Sequence, residues 1–251
     1  MPWYYAVAEL DHELQNPTSR EKIRLLGERL RLGVDSVVLD MACGKAGPAT
    51  LLASEFGCRV VGVERSPEFA AAARERIASA GLAERVEIVE GDAAAFPVDP
   101  GTFDAALCLG ASFVWDGLDG TLEALAPAVR AGGHLAVGEP FWRSWPLPDG
   151  VDDLGYLPLP ETAAKIERAG LALVTLIASS EDDWDTYESL HWRALEEWLA
   201  VHPDEPDAPT IRERFEDARD TYLRQERALL GWAIFVGWKP SGGTRERLAL
   251  E

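Results

Sequence analysis

Apolar and polar positions in the first two-thirds of the chain alternate between two patterns. Val37-Val38-Leu39-Asp40, Arg59 to Glu64, Val86 to Val89, Phe103 to Cys108 and His134 to Val137 are short β-branched or apolar runs, which predict five strands. Between them, residues 48–56, 67–80 and 119–130 are each long enough for a crossover helix. Ser66-Pro67 marks one helix start, because serine caps and proline tolerates the first helical position. Strands of nearly continuous apolar character alternating with helices predict a parallel sheet covered on both faces.

The pattern extends on both sides. Ahead of the first strand, a Thr18-x-x-Glu21 capping box opens a helix to residue 32, with Ile23, Leu26 and Leu30 on one face. After the fifth strand, a Pro- and Trp-rich loop over 140–160 precedes a helix over 161–169 and a strand over 171–178. Ser180 to Asp183 repeats the capping logic and opens a helix with Trp184, Tyr187, His191, Leu195 and Trp198 at spacings of three or four. Pro203, Pro206 and Pro209 are expected to end it. A further helix over 210–230, a last strand over 231–238 and a loose tail of a dozen residues complete the reading. Three segments of one domain follow: a lid and helix over 1–32, a ligand-binding core over 33–140, and a helical insertion over 180–230 that caps a substrate site.

Composition narrows the function classes. The 251 residues hold 24 Lys+Arg against 43 Asp+Glu, a net charge of −19, and 47% are hydrophobic, enough for a sizeable core. Such a chain repels phosphate backbones and anionic surfaces, so neither nucleic acid nor membrane is an expected partner. The longest apolar stretches, 105–115 and 171–178, fall short of the roughly 20 residues that span a bilayer. No basic start with an apolar run marks a secretory signal. Cys43, Cys58 and Cys108 read as small buried thiols, so the expected location is the cytoplasm. Residues 181–220 hold 14 acids and 4 bases, so over half of the excess negative charge lies on the insertion beside the expected substrate entrance.

The first strand leads into Asp40-Met41-Ala42-Cys43-Gly44-Lys45-Ala46-Gly47-Pro48, a turn of small residues before a helix. Such a turn lets a ligand approach the backbone closely, with Lys45 expected to face solvent. Glu64 ends the second strand 20 residues beyond Gly44, where a carboxylate can accept both hydroxyls of a ribose. Gly91-Asp92-Ala93 follows the third strand and Leu109-Gly110-Ala111 the fourth. Taken singly, Asp40 also fits a loop cap, Glu64 an exposed strand end and Asp92 an ordinary turn; their order along the chain favours a cofactor.

In these residues the chain resembles the class I S-adenosylmethionine-dependent methyltransferases, whose first loop reads roughly DxGxGxG where this chain has Asp40, Ala42, Gly44 and Ala46, with Gly47 displaced by one. The resemblance implies a Rossmann-like doubly wound α/β sheet of seven strands, the last antiparallel. It implies S-adenosyl-L-methionine as cofactor and S-adenosyl-L-homocysteine as product. Asp40 and the loop of Ala42, Gly44 and Gly47 would hold the methionine part, Glu64 the ribose, and Asp92 with Ala93 the adenine edge, with Arg65 and Leu109 also expected at the cofactor. A nicotinamide-dependent oxidoreductase uses the same sheet and ribose acid, but its loop is GxGxxG and Asp40 would face a pyrophosphate. A sulfonium with its ammonium favours that charge instead. A cofactor-binding sensor without catalysis is the other alternative.

Methyl transfer is an in-line displacement, so the protein aligns a nucleophile and excludes water. Groups above the carboxyl ends of the strands are therefore of interest. Glu139, His12 and His191 are the candidate catalytic groups, and Tyr5, Trp115, Trp142 and Trp192 the candidate substrate contacts, under a lid that also carries Tyr4 and Asn16. The expected acceptor is a small molecule, neutral or cationic, and the chain a monomer or homodimer. No metal site is expected: His12, His134, His191 and His202 form no HExxH or Cys/His cluster, and Glu188 with His191 is a single pair.

Overall fold

The computed structural model describes residues 4–241; the expected loose tail lies largely outside them. Seven strands form one sheet in the order β3-β2-β1-β4-β5-β7-β6. The strands are β1 (Val37–Met41), β2 (Arg59–Glu64), β3 (Val86–Glu90), β4 (Phe103–Leu109), β5 (Val129–Trp142), β6 (Ala172–Ala178) and β7 (Leu230–Trp238). Neighbours among β1 to β5 run parallel, and β7 lies antiparallel between β5 and β6. The doubly wound sheet with an antiparallel last strand is thus as the sequence indicates.

Alternation along each central strand builds two cores. Val38, Ala105, Leu107, Ala136, Ile234 and Val236 point to one face, packed by α2 (Arg20–Arg29) and α3 (Gly47–Phe56) through Ile23, Leu26 and Leu52. Leu39, Ala106, Cys108, Val137 and Phe235 point to the other, covered by α5 (Leu118–Leu125) and α6 (Leu159–Arg168) through Leu122, Leu125 and Ile166. Ser66 caps α4 (Pro67–Ser79), its Oγ accepting from the Phe69 N–H at 3.3 Å. A third, smaller cluster joins α1 (Tyr4–Ala8), α7 (Glu181–Val201) and α8 (Ala208–Thr221) through Ala8, Leu195, Leu199, Ile211 and Phe215.

Several boundaries differ from the sequence reading, each for a local reason. The cap of α2 is Ser19, which accepts from the Lys22 N–H; Thr18 is turned into the interior by its own N–H bond to the Asn16 carbonyl. Helix α5 ends at Leu125, because Pro127 cannot continue it. Pro209 begins α8 within its first turn, where a missing N–H costs nothing. Beyond α8, a π turn over Tyr222–Glu226 leads into α9 (Arg227–Leu229), so the expected single helix is interrupted. The capping box of α7 is present as read, with Ser180 and Asp183 exchanging both bonds. Among the described residues no helix is long and apolar enough to cross a membrane.

Candidate active site

The carboxyl ends of β1, β2 and β4 open into a cleft of about 930 Å³ including its mouth. Asp40, Ala42, Gly44, Gly47, Glu64, Arg65, Asp92, Ala93 and Leu109 all line it, as does Tyr5 from α1. These residues are scattered over 100 positions of sequence, and the parallel register brings them together: Asp40 pairs with Gly62 on one side and Leu107 on the other.

The loop between β1 and α3 is wound tightly. Ala42, Gly44 and Ala46 all adopt left-handed backbone, with φ of 54°, 56° and 56°. Glu64 fastens this loop to β2: Oε2 accepts the Gly44 N–H at 2.9 Å and Oε1 the Ser66 N–H at 2.7 Å. A carboxylate has about four acceptor sites, so two bonds leave room for hydroxyl donors. Asp92 caps a short turn through Ala94 and stays exposed.

Asp40 differs from both. It is 2% exposed, and its Oδ2 has no partner. Burial, with the Glu64 charge adding to it, raises its pKa from near 3.8 to about 7. A buried acceptor with nothing to accept is costly, and it marks where a positively charged donor fits.

A second cleft adjoins the first. They share Gly110 and Phe113, and the second is also lined by Ser112, Glu139, Tyr156, Thr162 and Lys165. Phe113 is 66% exposed, an aromatic ring standing at the junction. Ser112 Oγ donates to Glu139 Oε1. Burial lifts the Glu139 carboxyl to a pKa of about 7, against the opposing pull of Ser112 and Lys165.

The N-terminal segment lies across the first cleft. Gln15 Oε1 accepts the Lys45 N–H at 2.7 Å, and Glu13, Gln15 and Asn16 crowd Gly47, Gly44 and Gly110 so closely that a Cβ at any of the three would collide. Lys45 is buried, which corrects the expectation that it faces solvent: its ammonium donates to the backbone carbonyls of Glu9 and Leu10 and so ties the loop to the strap.

The remaining candidates fall elsewhere. His12 and His191 lie with ring centroids 4.3 Å apart and planes tilted by 35° between the strap and α7, away from the lining of both clefts. They surround Glu9, which sequence reasoning missed. His191 Nε2 lies 2.9 Å from Glu9 Oε1 and the Tyr187 hydroxyl 3.4 Å from it. Burial opposes the Glu9 charge, but the His191 hydrogen bond and the nearby His12 and Lys45 hold its pKa below the usual carboxylate range. Burial also lowers the His12 pKa. Trp142 is 2% exposed with its indole N–H donating to the Asp153 carbonyl at 2.9 Å, Trp192 packs on Tyr222, and Trp115 joins the apolar core beneath α5. None of these tryptophans lines either cleft; Phe113 and Tyr156 stand there in their place.

Known proteins share both the sequence and the architecture. Residues 38–133 match the methyltransferase domain family. The crystal structure of an S-adenosylmethionine-dependent methyltransferase from Geobacter sulfurreducens, in complex with S-adenosyl-L-homocysteine, has a TM-score of 0.89 and 32% identity, covering 96% of this chain and 99% of that one. A second such complex, from Thiobacillus denitrificans, has a TM-score of 0.88 and 31% identity over 94% of this chain and 98% of that one. The uncharacterised protein YjhP of Escherichia coli K12 is 29% identical over 243 residues, which is 94% of this chain and 98% of YjhP. Full-length likeness in sequence and fold, with the loop and acids on the same edge of the sheet, places the chain in the class I S-adenosylmethionine-dependent methyltransferases.

Proposed function

We propose that this methyltransferase moves the methyl group of S-adenosylmethionine to a small molecule, neutral or cationic, seated in the second cleft, with Glu139 touching the acceptor. The observation that carries the reading is the shared wall of Gly110 and Phe113, which joins the Asp40 cleft to the Glu139 cleft.

The residues of the first cleft fit the cofactor. The unpartnered Asp40 Oδ2 suits an ammonium, the free acceptor sites of Glu64 suit two ribose hydroxyls, and Asp92 with Ala93 suits an adenine edge. When bound, S-adenosylmethionine supplies an electrophilic methyl on a sulfonium. Asp40 then anchors one end, and the strap residues Tyr5, Gln15 and Asn16 exclude water from above. Phe113 aligns the acceptor between the clefts, where orientation is the main source of rate. Glu139, with a pKa of about 7, is suited to take a proton from an acceptor that is protonated at neutral pH, or to face a cationic one.

The test is a screen for S-adenosylhomocysteine release across amines, thiols, phenols and carboxylates, followed by Glu139→Gln on the best acceptor. Turnover falling by about 100-fold with KM little changed is the expected result. The wild-type rate should rise with pH up to about 7 as Glu139 loses its proton. Unchanged turnover in the variant would remove Glu139 from the reaction.

A further inference from the structure

Three donors from segments 180 residues apart converge behind the strap. Glu9 and His12 come from the turn after α1 and His191 from the middle of α7, and one ligand atom from each lies within 4.8 Å of the other two. The side chains of Glu9 and His12 are fully buried, and that of His191 is 16% exposed.

Hydrogen bonding fixes what His12 offers, while His191 Nε2, 2.9 Å from Glu9 Oε1, donates its proton there and gives it up on binding a metal. His12 Nε2 stands 2.9 Å from the Tyr187 backbone carbonyl, which can only accept, so Nε2 carries the ring proton and donates it. In the neutral ring Nδ1 is then a bare lone pair. It faces Glu9 Oε2 at 3.6 Å, and neither atom has a hydrogen-bond partner. A second ring proton would make this contact an ion pair, at a separation longer than the roughly 2.7–3.2 Å of an N–H···O bond. The Lys45 ammonium is engaged by backbone carbonyls. With His12 neutral, two buried acceptors therefore face one another and neither is satisfied.

A cation satisfies both. Ligands bound at about 2.0–2.2 Å in a tetrahedral set stand about 3.3–3.6 Å apart. The 3.6 Å from His12 Nδ1 to Glu9 Oε2 and the 2.9 Å from His191 Nε2 to Glu9 Oε1 bracket that spacing. A backbone carbonyl behind a ligating imidazole is also the usual way its tautomer and orientation are set. Two imidazoles and one carboxylate suit zinc or a neighbouring first-row ion rather than calcium or magnesium, which prefer oxygen.

We propose that Glu9, His12 and His191 form a binding site for a first-row divalent cation, zinc foremost, that clips the N-terminal strap to α7. The site is separate from the methyl-transfer chemistry and does not depend on it.

The test uses the tag-free full chain, stripped with a chelator and then titrated with zinc chloride by calorimetry and cobalt chloride by visible absorption. One ion per chain, cobalt d–d bands without a thiolate charge-transfer band, and a loss of affinity on the order of 100-fold in His191→Ala and in Glu9→Gln are expected. His191 is partly exposed, so its variant should keep the wild-type circular dichroism; if Glu9→Gln does not fold, His191→Ala and the wild-type cobalt spectrum decide. Failure of the wild type to bind one ion, a thiolate band assigning the ion to cysteine, or unchanged affinity in His191→Ala would overturn the proposal.

Discussion

Asp40 and Glu9 are both buried carboxylates, at 2% and 0% exposure, yet they sit in opposite electrostatic states. At Asp40 burial meets no counter-charge, Glu64 adds repulsion, and the pKa climbs to about 7. Around Glu9 burial is outweighed by His191, His12 and Lys45, and the pKa falls. Burial alone therefore does not say whether a carboxylate is a liability; its neighbours do. Asp40 Oδ2 has no partner within the protein, a gap the proposed cofactor ammonium would fill, whereas Glu9 has His191 and Tyr187 on Oε1 and is left open only at Oε2.

The sharpest way to break this comparison is Asp40→Asn. Loss of a buried charge-assisted contact should weaken S-adenosylhomocysteine binding by about 100-fold, as read by calorimetry at pH 8. The free protein should move the other way. A carboxyl whose folded pKa is raised contributes its stability below the unfolded value near 3.8, and that contribution is lost as pH rises toward about 7. Asp40→Asn removes this penalty, so the ligand-free variant should match or exceed wild-type stability in urea at pH 8. A variant that binds normally, or that unfolds more easily when free, contradicts the reading of Asp40.

Glu9→Gln should behave in the reverse sense. Its removal leaves two imidazoles and an ammonium around a neutral amide, at a cost of about 2 kcal/mol in metal-free buffer at pH 7. The pH dependence has the opposite sign from Asp40. A depressed pKa contributes stability above the unfolded value near 4.5, lost as pH falls through the folded pKa. Acid unfolding of the wild type should therefore be steeper than that of Glu9→Gln, and equal slopes would remove Glu9 from the accounting.

The same contrast explains what the sequence disclosed. Asp40 lies near the end of β1, Glu64 ends β2 and Asp92 follows β3, so short apolar runs and small-residue turns locate them by local signals, and the parallel register does the rest. Glu9, His12 and His191 meet only because α1 packs on α7, and no spacing within either segment announces that. Lys45 was misplaced for the same reason, since its partners lie 35 and 36 residues earlier. Size decides where the tryptophans go: Trp142 ends β5, but its bulk is accommodated inside, and the smaller Phe113 takes the rim. A helix boundary such as Ser19 in place of Thr18 turns on a single backbone bond, which adjacent residues of equal capping strength do not distinguish.

A smaller effect probes where the strap meets the loop. Gly47 has ordinary helical backbone, but a Cβ there would collide with the Glu13 backbone carbonyl, which cannot swing aside like a side chain. Gly47→Ala should lift the strap, costing about 1–2 kcal/mol and exposing residues 9–16 to limited proteolysis, with the core helices intact. Cleavage at the wild-type rate would mean that the strap does not depend on this close approach.

The smallest effect concerns the loop's two alanines in left-handed backbone. For a non-glycine residue that conformation costs about 1–2 kcal/mol, and glycine relieves it while adding about 0.5–1 kcal/mol of unfolded-chain entropy. At Ala46, which is fully buried in the core, glycine also forfeits a methyl group worth about 0.8 kcal/mol. The gains and losses there nearly cancel. Ala42 is only half-buried, so its methyl contributes less and relief of strain should dominate. Ala42→Gly is therefore expected to stabilise by up to about 0.5 kcal/mol and Ala46→Gly to be neutral or slightly destabilising, both read from urea midpoints at constant slope. If both glycines stabilised equally, backbone strain alone would govern the loop; if both destabilised, the alanine methyls would be the reason this chain departs from glycine at the two positions.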